Sequence, residues 1–384
     1  MSAMLALIAT ALAVAAPDIL VVGGTGRVGA STTRWLADLT ARAGNPAKLA
    51  VGGRSAPTDS QRSRLPQNTK FVEIDLDGGD ARLREAVAGR SLVIHTAGPF
   101  QQRTDPALLR AAIAEGVPYC DVCDELPLAR SARALASSAA APCVVSCGIW
   151  PGVSALMAAK AVEKLGGQGA CDRLEFSFFT AGTGGAGPTI VSATFLLLAT
   201  RVARYIDGAL VEEEPWLERR VRDFGEGVGE HECYTLDNPD VPTTAEALGI
   251  QDCVSRFGTY PSFWNNLFGG LKAVLPTSLL MDRDKMQGLA LFSMPIIRAV
   301  DALVGGTNAM RVDAWGKDGR KATLRVAHKD LEDCVGQATA AFGLELLRGD
   351  TIKPGVWYPA ELGASARANI LEVARERAFV WELD

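Results

Sequence analysis

Four apolar residues in a row, Ile19-Leu20-Val21-Val22, run into glycines at 23, 24, 26 and 29, and apolar positions then recur at helical spacing through Val28, Trp35 and Leu36. An unbroken apolar run of strand length reads as a strand covered on both faces, and the switch of period after the glycines reads as a βα unit. The alternation repeats. Strands are expected at 48–51, 71–76, 92–97, 119–122 and 143–147, with helices at 77–88, 105–116 and 130–140 between them. Buried strands alternating with helices predict a Rossmann-type, doubly wound parallel sheet.

The pattern then changes. A helix over 154–165 leads away from the first domain, and 174–180 alternates as an antiparallel strand does. The glycine-rich run from Thr180 to Thr189 is expected as a cleft-lining loop. Residues 189–206 are apolar with a helical period, which Arg201 and Arg204 interrupt, so a buried domain helix is expected rather than a membrane span. Residues 223–241 hold short strand-like pieces. Tyr260, Phe263, Trp264, Leu267, Phe268, Leu271 and Val274 recur at helical spacing over 255–280, and apolar residues continue to Val304. Two readings of 260–304 stand side by side: core plus the contact of a homodimer, or a surface for an apolar partner or membrane. Asp282, Arg283, Asp284, Arg298 and Asp301 argue against a transmembrane helix. A hairpin is expected at 310–315 and 321–327, helices at 330–349 and 365–374, and at 354–359 an extended turn closing over the cleft, with Trp357, Tyr358 and Glu361 facing inward.

The glycines carry the first chemistry. Gly23 allows a sharp turn out of the strand, Gly26 leaves room for a pyrophosphate against the backbone, and Gly29 lets helix and strand pack closely; Gly24, Gly26 and Gly29 also fit G-x-G-x-x-G. With Thr25, Arg27 and Val28 they form the expected phosphate cradle at a helix N-terminus. The second strand ends in Gly52-Gly53-Arg54-Ser55, with no acid before Asp59. An acid there would favour NAD, whereas Arg54, helped by Ser55, suits the 2′-phosphate of NADP. Asp75 is placed to meet the adenine edge, and Ala97-Gly98-Pro99-Phe100 to lie beside ribose and nicotinamide. Tyr119, Asp121, Asp124 and Tyr358 are the candidate catalytic, proton-handling groups; His95, inside its strand, reads as a packed residue.

Composition narrows the field. The chain has 384 residues, enough for about two domains, with an ordinary 48% hydrophobic and 22% charged residues. At a net charge of -5 with no basic cluster, nucleic acid is not an expected partner. The 8 cysteines include the pair Cys120 and Cys123 but are too few for a disulfide scaffold, and with only three histidines no metal site is expected. The apolar, alanine-rich run from Met4 to Ala16 reads either as a leader segment over 1–16, with Ala13-Val14-Ala15 as its cleavage site, or as an uncleaved helix. A leader would send the chain to an organelle; without one it is expected in the cytoplasm.

The glycine loop, Gly98-Pro99-Phe100, Tyr119-Cys120-Asp121-Val122 and Gly148-Ile149-Trp150-Pro151-Gly152 together resemble the saccharopine dehydrogenase-like family. Thr180-Ala181-Gly182-Thr183-Gly184-Gly185-Ala186-Gly187-Pro188-Thr189 and Pro354-Gly355-Val356-Trp357-Tyr358-Pro359-Ala360-Glu361 resemble the plant and algal plastid branch. The resemblance implies an NADP-binding domain over 17–150, an α+β substrate and dimerisation domain over 151–330, and helices over 331–384 returning to the first. It also implies NADP-linked hydride transfer at a C=N or C=O group of a small, amino-acid-derived substrate. One departure stands out: Cys123-Asp124-Glu125 replaces the Ser/Thr-Gly-Glu usual in that family, adding a carboxylate near the substrate. Since one fold serves many roles, a non-catalytic NADP(H)-binding assembly or regulatory subunit of a plastid or membrane complex is the rival expectation.

Overall fold

A computed structural model describes residues 15–97, 103–182 and 188–383. The leader segment up to residue 14, Gly98, Pro99, Phe100 and residues 183–187 lie outside the described residues. The chain divides into two compact units: Met1–Val153 with Asp333–Ala374, and Ser154–Glu332 with Arg375–Asp384.

In the first unit the expected strands form one sheet: β1 (Asp18–Val22), β2 (Lys48–Gly53), β3 (Lys70–Glu73), β4 (Leu92–His95), β5 (Tyr119–Asp121) and β6 (Pro142–Val144). The order is 3-2-1-4-5-6, all parallel, and the strand Gly355–Trp357 adds in parallel beside β6. The order reverses between β1 and β4, and at that point a doubly wound sheet opens its ligand crevice. Both faces are covered, which is why Ile19, Leu20, Val21 and Ile94 are all apolar and fully buried. Leu20, Val93 and Tyr119 pack with Leu83, Leu108 and Ala129 on one face.

The other face takes the helices Arg27–Arg42 and Leu331–Arg348. Asp333 accepts from Ser31 Oγ and Trp35 Nε1, each at 3.1 Å. A Cβ on Gly343 would stand 2.9 Å from Ile94 Cδ1 and 3.1 Å from Leu92 Cδ2, so the helix rides directly on β4. Gly343→Leu is therefore expected to overpack this layer and to cost about 1–3 kcal/mol. Urea unfolding checks it; a midpoint equal to the parent's would refute that packing.

The second unit holds a mixed sheet of β7 (Cys171–Ala181), β8 (Val202–Ile206), β9 (Ala209–Glu213), β10 (Arg220–Asp223), β11 (Glu230–Thr235), β12 (Asp252–Tyr260), β13 (Thr307–Gly316) and β14 (Lys321–His328). Its order is 10-11-12-7-13-14, closed at the edge by the strand Val380–Glu382. The β13–β14 hairpin falls where the sequence expects it. Two buried carboxylates lie opposite each other on β7 and β13: Glu175 pairs with Arg222 (2.6 Å), and Asp313 with Arg311 (2.7 Å) and Lys321 (3.0 Å). Each buried charge has its partner, as burial requires.

Four expectations change. Residues 189–206 are not one helix: the helix Pro188–Leu197 ends, and β8 begins a hairpin turned by Asp207 (φ 50°) and Gly208 (φ 78°). An Asp-Gly pair with both φ positive matches strand twist, and this local signal overrides the apolar period. Residues 255–280 split into β12 and the helix Phe263–Val274. The extended turn at 354–359 is a strand of the first sheet, with Tyr358 only 4% exposed inside its core. Residues 331–384 do not all return to the first unit, since Val380–Glu382 belongs to the second sheet.

The helix Arg283–Val304 buries Met286, Ala290, Met294 and Ile297, with Ser192 Oγ donating to Gln287 at 2.9 Å. Apolar residues are also exposed on it: Phe292 is 80% and Leu303 86% exposed, and Leu291 and Ile296 are exposed as well. The helix thus packs along one face and leaves a second apolar face bare. Among the described residues it is the one helix long and apolar enough to cross a membrane, by length and composition.

Candidate functional site at the switch point

The loop after β1 is built from main chain. Gly23 takes φ +80°, its N–H donates to Gly52 O at 2.8 Å, and Gly24 N donates to Val21 O at 3.1 Å. A Cβ on Gly23 would stand 2.5 Å from the Ala97 backbone, and one on Gly29 would stand 2.4 Å from Gly23 O. Strand β1, the helix and the end of β4 therefore meet with no room for side chains. Thr96 fixes that junction, its N–H and Oγ1 donating to Val22 O at 2.7 and 3.0 Å. Gly26 differs: it is exposed, and its nearest neighbour is Gly23 O at 3.2 Å, which leaves its outer side open to a ligand. The helix begins there with neither a side-chain cap nor an acidic residue in its first turn. A surface of main-chain N–H groups and open glycine fits a diphosphate. Thr25, Arg27 and Val28 lie on this turn, with Arg27 exposed.

Arg54 and Ser55 follow β2 and are both exposed. Asp75 lies two residues past β3, where its carboxylate accepts the N–H of Asp77 at 3.1 Å. The sequence does not announce the pair beside it: Arg103 grips Asp77 through two bonds, at 2.8 and 2.7 Å. That hydrogen bonding, aided by the nearby charge of Arg54, holds the Asp77 carboxyl below its usual range. Ala97 stands beside Gly23, while Gly98, Pro99 and Phe100 lie outside the described residues.

At the ends of β4 and β5 the structure brings Tyr119 and Asp121 together and adds His95. In this register Val93 pairs with Tyr119 and His95 with Asp121, so period-two alternation puts all three polar groups on one face. Tyr119 Oη lies 3.1 Å from Asp121 Oδ2 and 3.2 Å from His95 Nδ1. Asp121 Oδ1 accepts the N–H groups of Cys123 (2.9 Å) and Ser146 (2.8 Å). Ser146 reaches it from a left-handed turn, φ +62°, a conformation costly for serine. Burial pushes the Asp121 carboxyl up to about 6, against the pull of those donors, and pushes the Tyr119 phenol up as well. Burial, then the charge of Arg103, lowers His95 to about 4.

The other two candidates stand apart from this chain. Asp124 is half-buried in the turn after β5. Tyr358 is two strands away, where Glu361 accepts its N–H at 2.8 Å, pairs with Arg133 at 2.6 Å, and so clasps the sheet edge. His95 is the residue that sequence reasoning missed. The available signal was a histidine closing the strand that flanks the order reversal.

Residues 19–143 match the family model of the saccharopine dehydrogenase NADP binding domain. No curated protein matches the sequence. Among solved structures, saccharopine dehydrogenase (L-Glu forming) from Saccharomyces cerevisiae aligns over 93% of this chain and 96% of its own, with a TM-score of 0.62 and 14% identity. Homospermidine synthase from Legionella pneumophila, solved in complex with NAD, aligns over 95% of this chain and 90% of its own, with a TM-score of 0.64 and 8% identity. At such identities the likeness establishes the shared fold of both units.

Proposed function

We propose that this chain is an NADP-dependent oxidoreductase that moves a hydride to or from the carbon of a C=N or C=O group in a small, amino-acid-derived substrate. The observation that carries the reading is the side-chain-free junction of Gly23, Gly29 and Ala97, with an open Gly26 at the helix start. It supports a diphosphate held at β1 and a coenzyme running towards the end of β4. Arg54 and Ser55 would hold a 2′-phosphate, and Asp75 the adenine edge. When bound, the nicotinamide supplies or accepts the hydride; the chain's own residues bind, orient and handle the proton. Tyr119 and Asp121, hydrogen-bonded to each other, would handle that proton, and Asp124 and Tyr358 are weaker candidates.

A second reading, a nucleotide-binding subunit without turnover, is favoured by the exposed apolar face around Phe292 and Leu303, which suits docking to a second copy, an apolar partner or a membrane. Absorbance at the reduced-nicotinamide band separates the two, with full-length protein, NADPH and a panel of imines and keto acids. Turnover on at least one member is expected. Tight NADPH binding without turnover on any would favour the subunit.

A further inference from the structure

The hydrogen bonds at the end of β4 and β5 can be counted proton by proton. Asp121 Oδ1 is filled by two main-chain N–H groups, which leaves Oδ2 for Tyr119. Tyr119 has one proton and faces Oδ2 on one side and His95 Nδ1 on the other. An ionised Asp121 can only accept, so Tyr119 donates to it and accepts from His95 Nδ1–H. A neutral imidazole carries one N–H, so Nε2 is then a bare lone pair. That atom is buried and has no hydrogen-bond partner among the described residues. With a proton on Oδ2 every bond reverses: Asp121 donates to Tyr119, Tyr119 donates to Nδ1, and Nε2 carries the hydrogen. A buried polar atom without a partner is costly unless a ligand completes it. His95 lies opposite Val22 of β1, at the order reversal where a doubly wound sheet binds its ligand.

We propose that His95 is a catalytic residue that exchanges the reaction's proton with substrate through Nε2, and that Tyr119 and Asp121 are positioning residues forming a reversible wire behind it. The inference rests on the oxidoreductase reading above. In the oxidative direction the substrate carbon loses a hydride, with its electron pair, to the oxidised coenzyme. The substrate's O–H or N–H proton passes to Nε2, Nδ1–H passes to the Tyr119 oxygen, and the Tyr119 proton passes to Asp121 Oδ2. Substrate thus loses one hydride and one proton, and Asp121 holds the proton. Reduction runs the same wire backwards. The site takes an alcohol or amine, or the matching carbonyl or imine, whose heteroatom can reach Nε2.

The surroundings leave the wire alone near neutrality. Arg103 is the charge acting on His95 and disfavours an imidazolium. Cys120, Cys123 and Cys147 flank Tyr119 and Asp121, with Cys143 paired opposite Tyr119 on β6; burial pushes the thiols of Cys123 and Cys147 up and that of Cys143 to about 12. Asp124 and Glu125 lie beyond Cys123. The carboxyl at about 6 therefore switches first as pH falls, and the imidazole gains a second proton only towards 4.

The decisive experiment is nitrogen-15 NMR of histidine-labelled, full-length protein without coenzyme. The chain has three histidines, and a His95→Gln sample identifies the signal. At pH 7.5 the Nδ1–H tautomer is expected, passing to Nε2–H with a midpoint near 6 and no imidazolium. Asp121→Asn, whose amide must donate to Tyr119, should hold Nε2–H throughout the range above the ring's own titration near 4. An ordinary imidazolium titration near 6.5, or a tautomer indifferent to Asp121→Asn, would overturn the wire. In turnover, His95→Gln should lower kcat/KM about 100-fold or more while NADPH affinity stays within about twofold. Tyr119→Phe should remove the pH dependence near 6. Unaltered turnover by His95→Gln overturns the catalytic role, whereas wild-type protein that binds no coenzyme overturns the oxidoreductase reading instead.

Discussion

Gly29→Val is expected to weaken NADPH binding by about 5- to 150-fold. The new Cβ would meet Gly23 O at 2.4 Å, Gly24 Cα at 2.6 Å and Thr96 Oγ1 at 2.6 Å. Two of these atoms are main chain, and the third is tied to Val22 O, so no flexible side chain can swing away. The loop itself must move off the helix start. Such overpacking costs about 1–3 kcal/mol, and displaced amides no longer converge on the diphosphate. Carried into binding at 1.4 kcal/mol per decade, that cost is an affinity loss of about 5- to 150-fold. Gly26→Ala is the informative companion. Its Cβ has one protein neighbour at 3.2 Å, so the fold should hold while the side chain intrudes where phosphate would lie. Titration calorimetry reads the affinity and thermal unfolding reads the fold. A Gly29→Val protein that binds NADPH within threefold of the parent would remove the cradle from this loop.

Arg54→Glu should lower NADPH affinity on the order of 100-fold and leave NADH affinity nearly unchanged. Arg54 is exposed, so its replacement costs the fold little, within about 0.5 kcal/mol. A charge-assisted bond from guanidinium to phosphate is worth about 1.5–3 kcal/mol, and a carboxylate in its place adds repulsion. The change concerns only the 2′-phosphate, because NADH offers a hydroxyl there. Ser55→Ala should act in the same direction, more weakly. Parallel titrations with both coenzymes decide it. Equal affinity for the two, before and after the substitution, would take the 2′-phosphate contact away from Arg54.

The first unit is the legible part of this chain, for a physical reason. Its strands are covered on both faces, so Ile19 to Val22 and Leu92 to Ile94 must be continuously apolar, and a parallel order follows once helices separate them. The glycine loop is legible because main-chain packing excludes every other residue at Gly23 and Gly29. The second unit is harder to read. Residues 189–206 carry a helical period, yet Asp207 and Gly208 turn β8 and β9, a two-residue signal outweighed by a long run. Around 263–304 the periodicity says that an apolar face exists but not whether anything covers it, and Phe292 and Leu303 are bare. Tyr119 and Asp121 are read as candidates from their chemistry at a predicted strand end. Their partners are not: His95 joins through β4–β5 register, and Ser146 arrives from 25 positions along the chain. Hydrogen bonds between strands depend on register, which a single sequence does not display.

Each unit takes its residues from two separate stretches of the chain. The first is resumed at Asp333 after a long excursion, and the second is resumed at Arg375, when the strand Val380–Glu382 pairs with β14 through Val326 and Ala327. No single cut therefore releases either unit whole. A piece ending near residue 153 lacks the helix that Asp333 anchors, and a piece ending near Ala374 strips the hairpin of its outer neighbour. Dissection of this molecule calls for a circular permutant or a spliced loop rather than a truncation.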